Sequence, residues 1–183
     1  MRPRADRLLI TLGGVDRDNV SQKVLGALAY IEGPPLKTVL VVGPANPHRQ
    51  RLTAIVPASV EIVVDPPDIT GLMLAADLAI ATPSTSFWEL ACLGVPALLL
   101  VTADNQRAVA RAAENAGAAV VLGESHQLDT RKLAAALTTL AANPAGQQRL
   151  SEAGRNLVDG RGAARVADAV ATAIGVKQPE ICS

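Results

Sequence analysis

Apolar residues in this chain fall into short compact runs, separated by stretches in which they recur every three or four positions. The runs Leu8–Leu12, Thr38–Val42, Val60–Val64, Leu78–Ala81, Pro96–Val101 and Ala118–Leu122 are four to six residues long. That length suits a strand buried on both faces and is too short for a helix. Turn formers close them, among them Gly13-Gly14, Gly43-Pro44, Asp65-Pro66-Pro67, Thr82-Pro83 and Gly123. In the first interval Val20, Val24, Leu25, Leu28 and Ile31 keep helical spacing, which predicts a helix over 19–30 stopped by Gly33-Pro34-Pro35. The later intervals predict helices over 47–55, with Pro47 in the first turn, over 69–76, from the Ser84–Ser86 segment to Leu93 with Gly94 at its end, and over 105–115. After Gly123 the strands stop, and 129–142, 145–158 and 162–174 read as Ala-rich helices.

Six strand–helix alternations make successive βαβ units, and right-handed crossovers then give a parallel sheet with helices on both faces. The expected fold is a doubly wound, Rossmann-like α/β domain over residues 1–175, strand order 3-2-1-4-5-6, with the C-terminal helices capping one side. Residues 176–183 lack periodicity and read as a flexible tail.

Composition narrows the chemistry. Hydrophobic residues make up 49% of the 183 positions but aromatics only 2%, namely Tyr30, Phe87 and Trp88, so the core is aliphatic, as buried parallel strands prefer. Seventeen basic residues balance 17 acidic ones, leaving no global field to draw nucleic acid or an anionic membrane. The scarcity of aromatics also removes a base-stacking platform. No apolar run approaches the ~20 residues of a membrane span, and no secretory signal is visible, so the chain is read as soluble and cytoplasmic. Cys92 and Cys182 form no disulfide framework. His48 and His126 stand apart and read as surface residues, so no metal and no cofactor are expected.

In an open parallel sheet, ligands bind at the carboxyl ends of the strands near the point where strand order reverses. Those ends carry Gly13-Gly14-Val15-Asp16, Gly43-Pro44, Asp65-Pro66-Pro67-Asp68, Thr82–Ser86 and Thr102–Gln106. Gly13-Gly14 permits positive φ and close approach to a bulky anion, although neither the G-x-G-x-x-G pattern nor a P-loop is present. Ser84-Thr85-Ser86 opens a helix, whose free amides and dipole suit a phosphate. Glu89 just inside that helix suits the two hydroxyls of a ribose. The same spacing fits a capping box with Ser86 as N-cap and Glu89 three residues on, and spacing alone favours the cap. Phe87 and Trp88 adjoin this turn, and at least one is expected in the core. Asp104 is placed to cap the next helix, leaving the amides of Asn105 and Gln106 to grip sugar hydroxyls.

The order of these motifs resembles a known family. Leu-Ile-Thr-Leu-Gly-Gly-Val-Asp, Ala-Asp-Leu-Ala-Ile-Ala, Ser-Thr-Ser-Phe-Trp-Glu-Leu-Ala-Cys-Leu-Gly-Val-Pro, Asp-Asn-Gln, Ala-Gly-Ala-Ala and the closing Asp159-Gly-Arg-Gly162 are similar to the C-terminal half of the UDP-sugar hydrolases of pseudaminic acid biosynthesis. They are also similar to the spore-coat polysaccharide biosynthesis proteins and, more distantly, to the C-terminal domain of the peptidoglycan N-acetylglucosaminyltransferase. The resemblance implies half of a GT-B fold, with a UDP-sugar in the cleft between two domains. It implies Gly13 and Gly14 near the diphosphate, Ser84, Thr85 and Ser86 at the phosphates, and Glu89 on the uridine ribose, reversing the preference for a cap. It further implies Asn105 and Gln106 at the sugar, and the segment from Asp65 to Ile69 along the uracil. Val15 stands where relatives often carry a small hydroxyl residue, which removes one phosphate hydrogen bond.

The catalytic histidine of the family belongs to an N-terminal domain that this chain lacks, and neither His48 nor His126 sits in a matching motif, so the catalytic residues stay unassigned. The expected partners are a UDP-sugar and a missing N-terminal domain or partner chain. The resulting expectation is a UDP-sugar-binding domain of a hydrolase or glycosyltransferase in surface polysaccharide or nonulosonic acid biosynthesis, inactive by itself. Two alternatives are a non-catalytic binding or regulatory module and part of a UDP-sugar 2-epimerase.

Overall fold

The computed structural model describes residues 4–174, so the proposed tail and Cys182 lie outside the described residues. The strands are β1 (Arg7–Thr11), β2 (Lys37–Val42), β3 (Val60–Val64), β4 (Leu78–Ala81), β5 (Ala97–Val101) and β6 (Ala119–Glu124). They form one parallel sheet in the order β3-β2-β1-β4-β5-β6, as expected from the sequence. The helices are α1 (Val20–Leu28), α2 (Arg49–Ile55), α3 (Ile69–Ala75), α4 (Thr85–Leu93), α5 (Arg107–Asn115), α6 (Thr130–Ala141), α7 (Pro144–Leu157) and α8 (Gly162–Ala173).

Strands β4 and β5 are apolar throughout because both of their faces are covered. Alternate residues feed two separate cores. Leu8, Ile10, Leu40, Ile80 and Leu98 pack with Val24 of α1, Leu52 of α2 and Leu133 and Leu137 of α6. Leu9, Ala79, Ala81 and Leu99 pack with Met73 of α3, Phe87 and Leu90 of α4 and Ala113 of α5.

The C-terminal helices do not cap one side as the sequence suggested. Helix α6 joins α1 on the first face, whereas α7 crosses to α4 on the second. Glycine at 154 permits that crossing, since a Cβ there would lie 3.1 Å from the Ala91 carbonyl oxygen. Helix α8 buries none of its residues, and Val166, Val170 and Ile174 leave an apolar stripe exposed along it.

Several helix ends differ from the sequence reading, each through local hydrogen bonding or ion pairing. Helix α1 stops at Leu28, well before Gly33, because Tyr30 and Ile31 donate to carbonyls three residues back and tighten the last turn. Pro47 precedes α2 rather than opening it, since the Asn46 side chain accepts the His48 amide at 2.8 Å and holds a turn there. Asp104 is no N-cap. It lies within a short 3-10 turn, Asp104–Gln106, and pairs with Arg107 at 3.0 Å.

The link into α8 is held by Asp159, which accepts from Arg165 Nη1 at 2.7 Å and from the Arg161 amide at 3.0 Å. Those two bonds, the Arg165 one first, lower the Asp159 carboxyl to about 2. A depressed carboxylate stabilises the fold above its unfolded value near 3.8, and that contribution is lost as pH falls through about 2. In an NMR titration Asp159 is therefore expected to protonate near 2, and Arg165→Gln to return it toward its ordinary value. An Asp159 that titrates normally in the wild type would contradict this.

Candidate functional site

Strand order reverses between β1 and β4. The loop after β1 leads to α1 on one face, and the loop after β4 leads to α4 on the other. A crevice is expected where two such loops part.

The β1 loop is shaped by backbone approach. Gly13 has φ +89°, a conformation that favours glycine. Gly43, at the end of β2, must also lack a side chain, because a Cβ there would collide with the Gly14 backbone. Outward, a Cβ at Gly13 or Gly14 would meet nothing within 4 Å, so their exposed side is open. The helix that follows offers little to an anion. Asp16 accepts from the Val20 amide at 2.7 Å and the Ser21 amide at 2.9 Å, so a carboxylate already occupies the start of α1.

The start of α4 differs. Ser84 is its N-cap in extended conformation, and no side chain caps the helix. The Ser84 hydroxyl instead pairs with the Thr82 hydroxyl at 3.0 Å. Among the described residues, the amides of Thr85 and Ser86 have no acceptor. This overturns the capping-box alternative, because Ser86 lies inside the helix and Glu89 sits a turn beyond the cap. Glu89 is exposed and shares a helix face with exposed Thr85 four residues earlier. Phe87 is fully buried and Trp88 half-buried, with ring centroids 5.0 Å apart at 48°, so the expectation of a core aromatic holds for Phe87.

The remaining candidates lie along the same edge. Gln106 turns its side-chain oxygen inward to accept from the Thr102 amide at 2.9 Å and its hydroxyl at 3.2 Å, which leaves its NH2 group to donate. Asn105 is exposed. Asp65 is exposed in a left-handed conformation, φ 47°, and its amide donates to the Val42 carbonyl at 3.1 Å. Ile69 is half-buried and packed against the core beneath α4, so it is only partly open to the edge. From β3 to β5 there are four strand spacings, roughly 19 Å, so Asp65 and Asn105 stand at opposite ends of an extended edge.

One cavity on this edge, of about 400 Å³, lies between the β1 and β5 loops and is lined by Val15, Asp16, Arg17, Thr102 and Ala103 among others. It does not include the Ser84–Glu89 segment or Asp65. His48 proves more than a surface residue. It is half-buried, and its Nε2 lies 2.9 Å from the Arg17 carbonyl oxygen, tying the β2 loop to the β1 loop. Sequence reading placed Asp16 only at the end of the first strand, took His48 for a surface residue and did not single out Arg17. The visible signal for Asp16 was an acidic residue four positions before the first helical amide.

A model of the glycosyltransferase family 28 C-terminal domain matches residues 7–169. The chain belongs to that family. Spore coat polysaccharide biosynthesis protein SpsG of Bacillus subtilis (strain 168) is 31% identical over 162 residues, covering 87% of this chain and 48% of that protein. The UDP-N-acetylglucosamine--N-acetylmuramyl-(pentapeptide) pyrophosphoryl-undecaprenol N-acetylglucosamine transferase of Alkalilimnicola ehrlichii (strain ATCC BAA-1101 / DSM 17681 / MLHE-1) is 32% identical over 170 residues, covering 88% of this chain and 47% of that one. Acinetobacter baumannii MurG superposes with a TM-score of 0.71 at 23% identity, over 94% of this chain and 51% of that structure, and shares the fold. The chain thus spans about half the length of the curated relatives it matches. Its sheet, strand order and flanking helices are those of a GT-B C-terminal domain. Among the described residues, no helix is long and apolar enough to cross a membrane.

Proposed function

We propose that this chain is the UDP-sugar-binding half of a GT-B enzyme of surface polysaccharide biosynthesis, and that the nucleotide diphosphate binds at the uncapped start of α4. The observation that carries this reading is the contrast between two helix starts: Asp16 fills that of α1, whereas the Thr85 and Ser86 amides of α4 have no acceptor among the described residues. Those amides and the helix dipole offset phosphate charge. Glu89, one turn along, accepts from the ribose hydroxyls. The segment from Asp65 to Ile69 borders the base, and Asn105 and Gln106 border the sugar. The spore-coat and peptidoglycan relatives support a role in surface polysaccharide assembly, and the UDP-N-acetylglucosamine for which the second is named supports a uridine nucleotide.

In the reaction, a hydroxyl of water or of an acceptor sugar attacks the anomeric carbon, and UDP departs with the bonding electrons. The α4 amides stabilise the charge that grows on the departing diphosphate. The base that takes the proton belongs to the other half. Hydrolysis by water, as in nonulosonic acid biosynthesis, and transfer to a sugar place the same demands on this half. The exposed stripe of Val166, Val170 and Ile174 on α8 supports a partner half that the relatives' greater length contains.

Calorimetry of the purified chain with UDP, UDP-N-acetylglucosamine and CMP tests the proposal. Weak UDP and UDP-sugar binding, weaker or absent CMP binding and no turnover are expected. CMP binding as well as UDP would overturn the nucleotide assignment. Sustained UDP release that a point change in this chain abolishes would overturn its role as a binding half.

A further inference from the structure

We propose that Arg107, bridging Asp104 and Glu124, is the positioning residue that pins the Asp104–Gln106 turn to the end of β6, so that preference for a nucleotide sugar over the bare nucleotide runs through a residue that touches neither. The inference rests on the reading above that Asn105 and Gln106 border the sugar, and adds the frame that holds them.

The turn after β5 has support from β6, the outermost strand on that side of the sheet. The pairing of the two strands is irregular just there. Leu99 faces Val121, but Val101, two residues on, faces Glu124, three residues on. Strand β6 therefore carries one residue too many, and Gly123, with φ +88°, lies in the irregular stretch. An extra residue of this kind bends a strand and re-aims the side chain that follows. In a regular ladder Gly123 would stand opposite Val101, and Glu124 would lie one place further out, on the other face. The irregularity instead delivers the half-buried Glu124 carboxylate to the start of α5. There Arg107 Nε meets Glu124 Oε1 at 2.9 Å, and Arg107 Nη2 meets Asp104 Oδ1 at 3.0 Å.

One guanidinium fork thus joins the first residue of the turn to the last residue of β6. The turn is anchored from within as well. Gln106 Oε1 accepts from the Thr102 amide and hydroxyl, and the Gln106 amide donates to the Ala103 carbonyl at 3.0 Å. Exposed Asn105 lies between the two anchors, and Gln106 has only its NH2 group left to offer a ligand. Ion pairs this close to solvent add little to global stability. Their effect here is on direction. Without Arg107, the Asp104 and Glu124 carboxylates would face each other unscreened and push the turn away from β6. Lysine keeps the charge but lacks the planar fork that reaches two carboxylates at once.

The test compares UDP with UDP-N-acetylglucosamine binding to the full chain by calorimetry, in wild type, Arg107→Gln, Arg107→Lys, Glu124→Gln and the Arg107→Gln/Glu124→Gln double variant. In wild type the sugar should strengthen binding over UDP alone. Arg107→Gln and Glu124→Gln should each cut that gain about threefold to tenfold, the worth of roughly one hydrogen bond. UDP affinity and melting temperature should not change, Arg107→Lys should fall between, and the double variant should be no worse than either single one. Loss in Arg107→Gln without loss in Glu124→Gln, or equal loss of UDP and UDP-N-acetylglucosamine, would mean that Arg107 meets the ligand itself and overturns the positioning role. A wild type that binds both ligands equally overturns the sugar reading of Asn105 and Gln106 and this one with it, and leaves the nucleotide reading standing. A wild type that binds neither overturns all three. Hydrogen exchange needs no ligand and judges the frame alone: both single variants should speed exchange of the Thr102 and Gln106 amides, and unchanged rates would remove Arg107 from the account.

Discussion

Phe87→Ala is expected to cost about 3–5 kcal/mol of stability, the range for truncating a buried aromatic side chain. For a domain of this size that is a fall of roughly 6–20 °C in melting temperature. Phe87 is 0% exposed and sits among Leu9, Ala79, Ala81, Leu90 and Leu99. Its strand neighbours on β4 are alanines, which let the helix lie close to the sheet but cannot expand to refill the space. The loss has a functional side. Phe87 is the third residue of α4, directly after the two whose amides await an acceptor. The ring fixes how that first turn meets the sheet, so Phe87→Ala should weaken UDP binding even well below its melting temperature. Thermal denaturation with calorimetry at low temperature checks both. A melting temperature within a few degrees of wild type would show that the ring does not anchor α4.

Glu89→Gln is expected to leave the melting temperature unchanged and weaken UDP binding about tenfold to a hundredfold. A carboxylate accepting from two ribose hydroxyls makes charge-assisted bonds, worth about 1.5–3 kcal/mol. Glutamine keeps the shape but loses the charge and one acceptor. The structure sharpens this experiment. Had Glu89 closed a capping box, its replacement could have acted through the helix; the cap is Ser84, and exposed Glu89 makes no such bond. An affinity equal to wild type would leave Glu89 without a role in binding.

The sheet was legible because its signal is redundant. Runs such as Leu8-Leu-Ile and Leu98-Leu-Leu make sense only where both faces are covered, and the alternation with helices then leaves few permitted connections. Edges of elements were less legible because single side chains decide them. Asn46 delays α2 past Pro47, and Gln106 folds back on Thr102, neither of which hydrophobic spacing can encode. The Ser86-x-x-Glu89 pattern misled for a related reason. A capping box is a local pattern, but the chain had already turned helical at Thr85, where burial of Phe87 sets the phase of α4. The course of the C-terminal helices was also a tertiary matter, since the small residues Gly154 and Ala91 bring α7 to the second face and spacing within α7 does not name its partner. Least legible was the pairing of His48 with Arg17, 31 residues apart, which exists only once β1 and β2 lie side by side.

The central claim is that a uridine diphosphate sits at the carboxyl edge with its phosphates on the start of α4. Amide chemical-shift mapping during a UDP titration tests it most directly. The account predicts saturable shifts at Thr85 and Ser86, accompanied by Gly13 and Gly14, with α6 and the far ends of the strands undisturbed. Saturable binding that leaves the Thr85 and Ser86 amides unmoved would contradict it.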